Sequence, residues 1–259
     1  MPVHPTAIID PGAVIAESAD IGPYCVIGPQ VWIGEGTRLM AHLYVEGPTV
    51  IGRDNLFYPF STVGVASQDK KYRGEPAQTR IGDRNVIREF VTIHRGTKGG
   101  GMLTSIGDDN LLMAYAHIAH DCHVGSQTIL ANGTTLAGHV VIEDYVGIGA
   151  FTGVHQFCRV GRHAYIGGYS VITQDVLPFS LTVSTREVKV FGANRVGLER
   201  RGFPVEAVES LQKAFRLLTR TGLNTTQAVE RIRAEVPPTP ELDALLAFIA
   251  ASTERGFVK

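Results

Sequence analysis

With 259 residues, 44% of them hydrophobic, and a formal net charge of −1, the chain has room for one large globular unit, or for a large one with a smaller companion. The near-neutral charge argues against a nucleic-acid surface, and no apolar run is long enough to span a membrane. Cys25, Cys122 and Cys158 are odd in number and scattered, so neither a disulfide framework nor a Cys-x-x-Cys metal knuckle is expected. The opening Met1-Pro2-Val3-His4-Pro5 has neither the basic nor the apolar region of a signal peptide, and the expected compartment is the cytoplasm.

From Ile9 onward an apolar residue recurs at every sixth position: Ile9, Ile15, Ile21, Ile27 and so on to Phe57 and Val63. After a gap the series resumes at Ile81, Ile87 and Ile93, then runs unbroken from Ile106 to Ile172. At the overall apolar frequency, chance would produce such a series with a probability on the order of 10⁻⁹. Neither a helix nor an ordinary strand has this period. It fits a mainly β fold, a parallel β-helix, in which each short strand points one aliphatic side chain inward and small residues turn the corners. Three strands per turn stack at roughly 4.8 Å. Many of the 29 glycines directly follow the apolar residue, as such corners require.

Two stretches interrupt the series. Residues 67–80 are polar with Gly and Pro and read as an excursion; residues 99–105, with Gly99-Gly100-Gly101, shift the phase by one. Counting faces in threes puts Ile93, Ile118, Leu136, Val154 and Ile172 on one face of successive coils. That face carries His94, His120, His139 and His155, with His117 expected at the corner before it and both excursions leaving from its end. The repeat is expected over 1–177 and a connector containing Pro178 over 178–194. A C-terminal α-helical domain follows over 195–259. Its first helix runs from Pro204 to about Thr219 with Val205, Val208, Leu211, Phe215 and Leu218 inward, and Gly222 beyond it. A second starts at Thr225 with Asn224 as N-cap and Gln227 at N3. A third starts at Thr239-Pro240 with Leu242, Leu245, Leu246 and Ile249 as its stripe.

His120-Asp121 is a candidate general base with a carboxylate beside it, since imidazole titrates at about 6.5 without tuning. Adjacent strand residues point to opposite faces, so a regular strand would keep Asp121 off the His120 ring. Two other readings stand beside this one. The histidines can cap coil corners, or His117, His120 and His123 can ligate zinc. Their spacing directs the three rings differently and no cysteine pair or acidic cluster completes a shell, so no metal is expected. Arg200 and Arg201, in the run 194–203, suit bidentate contact with phosphate, or simply begin a solvated helix.

Five segments carry a resemblance. They are Ile93-His94-Arg95-Gly96-Thr97, His117-Ile118-Ala119-His120-Asp121-Cys122, Leu136-Ala137-Gly138-His139, Val154-His155-Gln156-Phe157-Cys158 and Arg200-Arg201-Gly202-Phe203. Together they make the chain similar, over nearly its whole length, to the UDP-N-acetylglucosamine O-acyltransferase family of lipid A synthesis. The resemblance implies a left-handed coil and transfer of an (R)-3-hydroxyacyl group from acyl carrier protein to the sugar 3-hydroxyl. It makes His120 the base, Asp121 its support and the Gly138 N–H an oxyanion donor. It places Gln68, Asp69, Lys71, His94, His117, His139, His155 and Gln156 along the substrate cleft. Asn194, Arg200 and Arg201 would hold the UDP-sugar, and Gly168 would gauge acyl length, leaving room for a long chain. It further implies a homotrimer with sites between subunits. No cofactor is implied beyond the carrier's phosphopantetheine arm, and basic residues such as Arg216 and Arg220 would face the acidic carrier. Val196 departs from the pattern, which usually has glutamate there. The remaining alternatives are the related N-acyltransferase acting later in lipid A synthesis, a variant of the same family acylating a 3-amino UDP-sugar, a zinc γ-class carbonic anhydrase, and a purely structural β-helix.

Overall fold

The computed structural model describes residues 3–184, 188–220, 222–252 and 256–258. Three sheets of nine, eight and ten strands form a triangular coil, each coil strand hydrogen-bonded to the one a full turn away; the last strand of the third sheet instead turns back antiparallel on its predecessor. The register follows the six-residue period: Ile9 faces Ile27, Ile118 faces Leu136 and Leu136 faces Val154, all in parallel pairs. Most strands are only two residues long, one turned outward and one inward. The inward residue is the periodic one, and Ile93, Ile118, Leu136 and Ile166 are wholly buried. The chain runs from the nine-stranded first sheet to the eight-stranded second and the ten-stranded third, then back to the first.

Corners need backbone that strands do not supply. Residues such as Asp54, Tyr115, Asp121, His139 and Phe157 take φ between 53° and 66° there, a conformation that costs non-glycine residues energy unless the surroundings hold it. Stacking along each corner does so. At the corner from the third sheet to the first, Tyr24, His42, Phe60, Phe90 and Tyr115 form a column of stacked rings. At the corner from the second to the third, buried Asn55, Asn85 and Asn110 pass hydrogen bonds from coil to coil, each side-chain oxygen taking the next main-chain N–H. The asparagine column satisfies main-chain N–H groups that the narrow core would otherwise orphan.

Both interruptions begin and end earlier in the chain than expected. The strand Thr62–Val65 ends at the first excursion, and Gln78–Ile81 has already rejoined the second sheet. Gln78, Thr79 and Arg80 therefore belong to a strand, paired in register with Leu103, Thr104 and Ser105 of Leu103–Ile106. The excursions occupy 66–77 and 95–102. Threonine takes the inward place in these flanking strands, Thr79 and Thr104 being buried, so an apolar period could not show them.

The stretch 178–194 is not a plain connector. Ser180–Ser184 adds to the third sheet parallel to Tyr165–Ile166, and Val188–Ala193 returns antiparallel to it. Four helices follow: α1 Arg195–Arg200, α2 Val205–Arg220, α3 Thr225–Glu235 and α4 Pro240–Ala250. Asn224 and Gln227 form a reciprocal capping box, and Thr239 caps α4. The expected stripes are inward except for Val205, which is exposed at the start of α2. The helices share a second hydrophobic cluster that begins at Leu177, while the coil's own core ends at Val176. Near the C-terminus Val258 donates to the Asp175 carbonyl, returning the chain to the end of the coil.

Candidate active site

After the inward Ile118 the chain leaves the first sheet through Ala119 and His120, and at Asp121 φ is +60°. That turn swings the Asp121 carboxylate back beside the preceding ring, whereas a regular strand would point it away. His120 Nδ1 lies 2.8 Å from Asp121 Oδ2. Asp121 is 2% exposed, and its two oxygens also accept from the Thr97 N–H at 2.8 Å and the Thr97 hydroxyl at 2.6 Å. An ionised carboxylate only accepts, so Nδ1 is the donor and Nε2 is the ring nitrogen left to take a proton.

One coil on, the His139 ring stands edge-on to His120 at 5.1 Å and stacks on Phe157 at 4.5 Å. Between the two histidines sits Gly138. A Cβ there would come within 2.5 Å of the His120 ring, so only glycine lets the imidazole lie against this backbone. Among the described residues no acceptor is found for the Gly138 N–H.

His94 and His117 form a second edge-to-face pair at 5.0 Å. His117 is not at a corner. It is the outward residue of the strand His117–Ile118, paired with Thr92 and Thr135, and its Nδ1 meets the Thr92 hydroxyl at 2.6 Å. Burial, reinforced by His117 and His120, pulls the His94 pKa down to about 4. Burial also lowers His117 and, against the opposing pull of Asp121, His139. These three rings are neutral at pH 7. His155 and Gln156 are exposed at the same corner, and His155 Nδ1 contacts only the Gln156 carbonyl, at 3.2 Å.

The first excursion reaches the same place. Asp69 and Lys71, with Thr97, Lys98, His139 and Phe157, line a cleft of about 800 Å³. Gln68 is exposed and not part of that lining. Asn194, Arg200 and Arg201 are elsewhere. With Val196, Ile129, Gly147 and Tyr165 they line a cavity of about 850 Å³ against the outer face of the third sheet. Asn194 is spent on structure: its Oδ1 caps α1 and its Nδ2 donates to the His163 carbonyl. Arg201 lies over the Tyr145 ring at 4.8 Å. Gly168 sits past Ile166 at the corner from the third sheet to the first, where a Cβ would be 3.0 Å from the Ala150 carbonyl oxygen. Arg216 lines grooves beside α2; the Arg220 side chain lies outside the described residues.

The histidine triplet considered for zinc does not converge, because His123 belongs to the second sheet and bonds Ser105. The cluster with metal-ligand proximity is instead His120, Asp121 and His139, whose candidate atoms lie within 4.8 Å of one another. Its carboxylate is already occupied by Thr97 and His120.

The model of the Udp N-acetylglucosamine O-acyltransferase domain 2 family matches residues 175–258, and that of the bacterial transferase hexapeptide matches 103–138 and 139–174. An acyl-[acyl-carrier-protein]–UDP-N-acetylglucosamine O-acyltransferase of Thermodesulfovibrio yellowstonii is 48% identical over 257 residues, 99% of each chain. The chain belongs to the UDP-N-acetylglucosamine O-acyltransferase family. Solved structures of such enzymes agree. That of Acinetobacter baumannii is 44% identical with a TM-score of 0.95 over 99% of both chains. That of Moraxella catarrhalis is 42% identical with the same score over all of both. The coil is accordingly a left-handed parallel β-helix.

The sequence did not single out Thr97, Thr104 and Phe157, which touch this cluster, or Thr92, which meets His117. Thr97 closes the segment Ile93-His94-Arg95-Gly96-Thr97 and Phe157 lies in Val154-His155-Gln156-Phe157-Cys158, but nothing in their spacing says that they would meet Asp121 and His139.

Proposed function

We infer that the chain is an acyltransferase moving an (R)-3-hydroxyacyl group from acyl carrier protein to the 3-hydroxyl of UDP-N-acetylglucosamine, the first step of lipid A synthesis. The observation that carries the chemistry is the His120–Asp121 hydrogen bond at 2.8 Å, which leaves Nε2 as the base. His120 Nε2 removes the hydroxyl proton as the sugar oxygen attacks the thioester carbonyl. Asp121 steadies the imidazolium that forms. The Gly138 N–H meets the charge developing on the carbonyl oxygen. When the tetrahedral intermediate collapses the C–S bond breaks, and His120 returns its proton to the departing phosphopantetheine thiolate. No metal or dissociable cofactor enters this sequence, and cytoplasmic carrier protein and nucleotide sugar fit a chain in which no described helix is long and apolar enough to cross a membrane.

His94, His117, His139, His155, Gln156, Gln68, Asp69 and Lys71 belong to the substrate cleft in this reading, and Arg200 and Arg201 to the diphosphate. In one chain these groups are on different sides of the coil. A complete site therefore needs a second copy, whose third sheet meets the histidine corner of the first; a homotrimer repeats that contact three times. Asn194 acts mainly by capping α1 and so aiming the arginines. Val196 offers no charge to the sugar, and Gly168 leaves space for the acyl tail.

The amide-forming alternative and the zinc enzyme are not favoured by relatives named as O-acyltransferases. The test is acyl transfer from (R)-3-hydroxymyristoyl carrier protein in EDTA, offering UDP-N-acetylglucosamine beside its 3-amino analogue. Turnover of the hydroxyl sugar is expected. Preference for the amine would change the product to an amide, and no turnover of either would remove the proposal.

A further inference from the structure

The second excursion does more than shift the phase of the coil. It leaves the first sheet after His94 and makes a tight turn in which the Thr97 carbonyl accepts from Gly100 and Met102. The turn then lies directly on Asp121. A Cβ at Gly100 would overlap the Asp121 carboxyl carbon at 2.0 Å, and one at Gly96 would come within 2.9 Å of Oδ1. Glycine at both places lets the backbone close over the carboxylate and shut out water. Within this turn Thr97 is 5% exposed and gives Asp121 two hydrogen bonds, main-chain N–H to Oδ1 and hydroxyl to Oδ2. From below, the Asp121 N–H is held by the buried Thr104 hydroxyl at 2.8 Å.

We propose that Thr97 is a positioning residue for the His120–Asp121 pair, and that the glycine-rich turn at 96–101 serves to seat it. The proposal rests on the general-base reading of His120. A carboxylate can rotate about its last bond. Two donors from one residue fix its plane, so the remaining lone pair of Oδ2 faces Nδ1 and holds His120 in a single tautomer. In a site shielded from water such bonds are stronger than on a surface. Thr97 also lines the cleft beside Lys98 and Phe157, so movement of the turn on substrate binding is transmitted to the carboxylate through the same two bonds.

The discriminating variant is Thr97→Val, which keeps the shape and the N–H but removes the hydroxyl. Loss of an outer partner of a catalytic group commonly lowers activity about 10–100-fold, and that fall is expected in kcat. KM for the nucleotide sugar should stay within about twofold, because the lost bond acts in the transition state rather than in binding. Thr97→Ser restores the hydroxyl and should restore kcat. Histidine-selective ¹⁵N NMR gives a readout independent of turnover: His120 is expected as the Nδ1–H tautomer in the wild type and as a mixture in Thr97→Val. Unchanged kcat overturns the proposal. So does a fall in kcat with the tautomer intact, or one that serine does not rescue. Should Thr97→Val fail to fold, Thr97→Ala carries the same two readouts. If the wild type acylates neither sugar, the activity reading fails, and the tautomer comparison alone still decides the role of Thr97.

Discussion

His120 differs from the histidines around it by one partner. His94, His117 and His139 are kept neutral by burial, whereas the His120 ring has a buried carboxylate on Nδ1. Replacing His120 with alanine should lower turnover about 10²–10⁴-fold, the usual worth of a general base, while gel filtration shows an unchanged assembly. The same burial makes a prediction for stability. His94 titrates at about 4 in the folded chain and at about 6.5 when unfolded. Above pH 6.5 both states are neutral and the group contributes nothing to the pH dependence. As pH falls from about 6.5 towards 4, the unfolded chain takes up a proton that the folded chain refuses, and stability declines. His94→Gln should make that decline shallower in urea titrations across this window, with His163, also at about 4, accounting for part of what remains. That histidines gather on one face was legible because they stand out against a strict apolar period, although they meet edge to face in pairs, His94 with His117 and His120 with His139, instead of forming one aligned column. The contact to Asp121 was not, because it depends on a positive φ that strand alternation does not anticipate.

At the scale of elements, each strand is too short to be stable alone and persists because the coils above and below complete its hydrogen bonds. A cavity in the stack under the site should therefore be expensive. Ile118→Ala, beneath His120, should cost about 2–5 kcal/mol, the range for buried large-to-small changes, measured by chemical denaturation. Asn224→Ala removes one half of a capping box and should cost about 1 kcal/mol, confined to the helical part. Helix starts and stripes could be read from the chain because caps and heptad-like spacing are local signals. The antiparallel pair Ser180–Ser184 and Val188–Ala193 could not: its strands have no six-residue period, and they exist because the third sheet offers Tyr165–Ile166 as an edge. The excursions were placed a few residues too far along for a related reason. Thr79 and Thr104 fill inward positions with a hydroxyl, and a search for apolar residues passes over them.

The whole molecule poses a different question, since the cleft at His139 and the arginines occupy separate sides of one coil. If neighbouring copies complete each other's sites, two inactive variants should complement. If the assembly is a trimer and His120→Ala and Arg201→Ala chains combine at random in equal amounts, about a quarter of all sites receive both intact residues. Recovery of activity in co-expressed, but not separately purified, variants is the expected result; its absence would put both groups in one chain's site. Gly168→Met should turn preference towards shorter acyl donors in a competition assay, and an unaltered profile would move the gauge elsewhere. By itself, the sequence determined the coil, its strand register and the face on which histidines gather, because a six-residue apolar period admits one regular way of burying those side chains. It also marked three of the helices that follow, but not the short Arg195–Arg200 capped by Asn194. Only the tertiary structure decided which polar groups touch. The Thr97–Asp121–His120 chain, the turn closing over the carboxylate and the separation of the arginines from the base all join residues from different coils. Such contacts are set by corner dihedrals and by stacking in space, and no spacing along the chain records them.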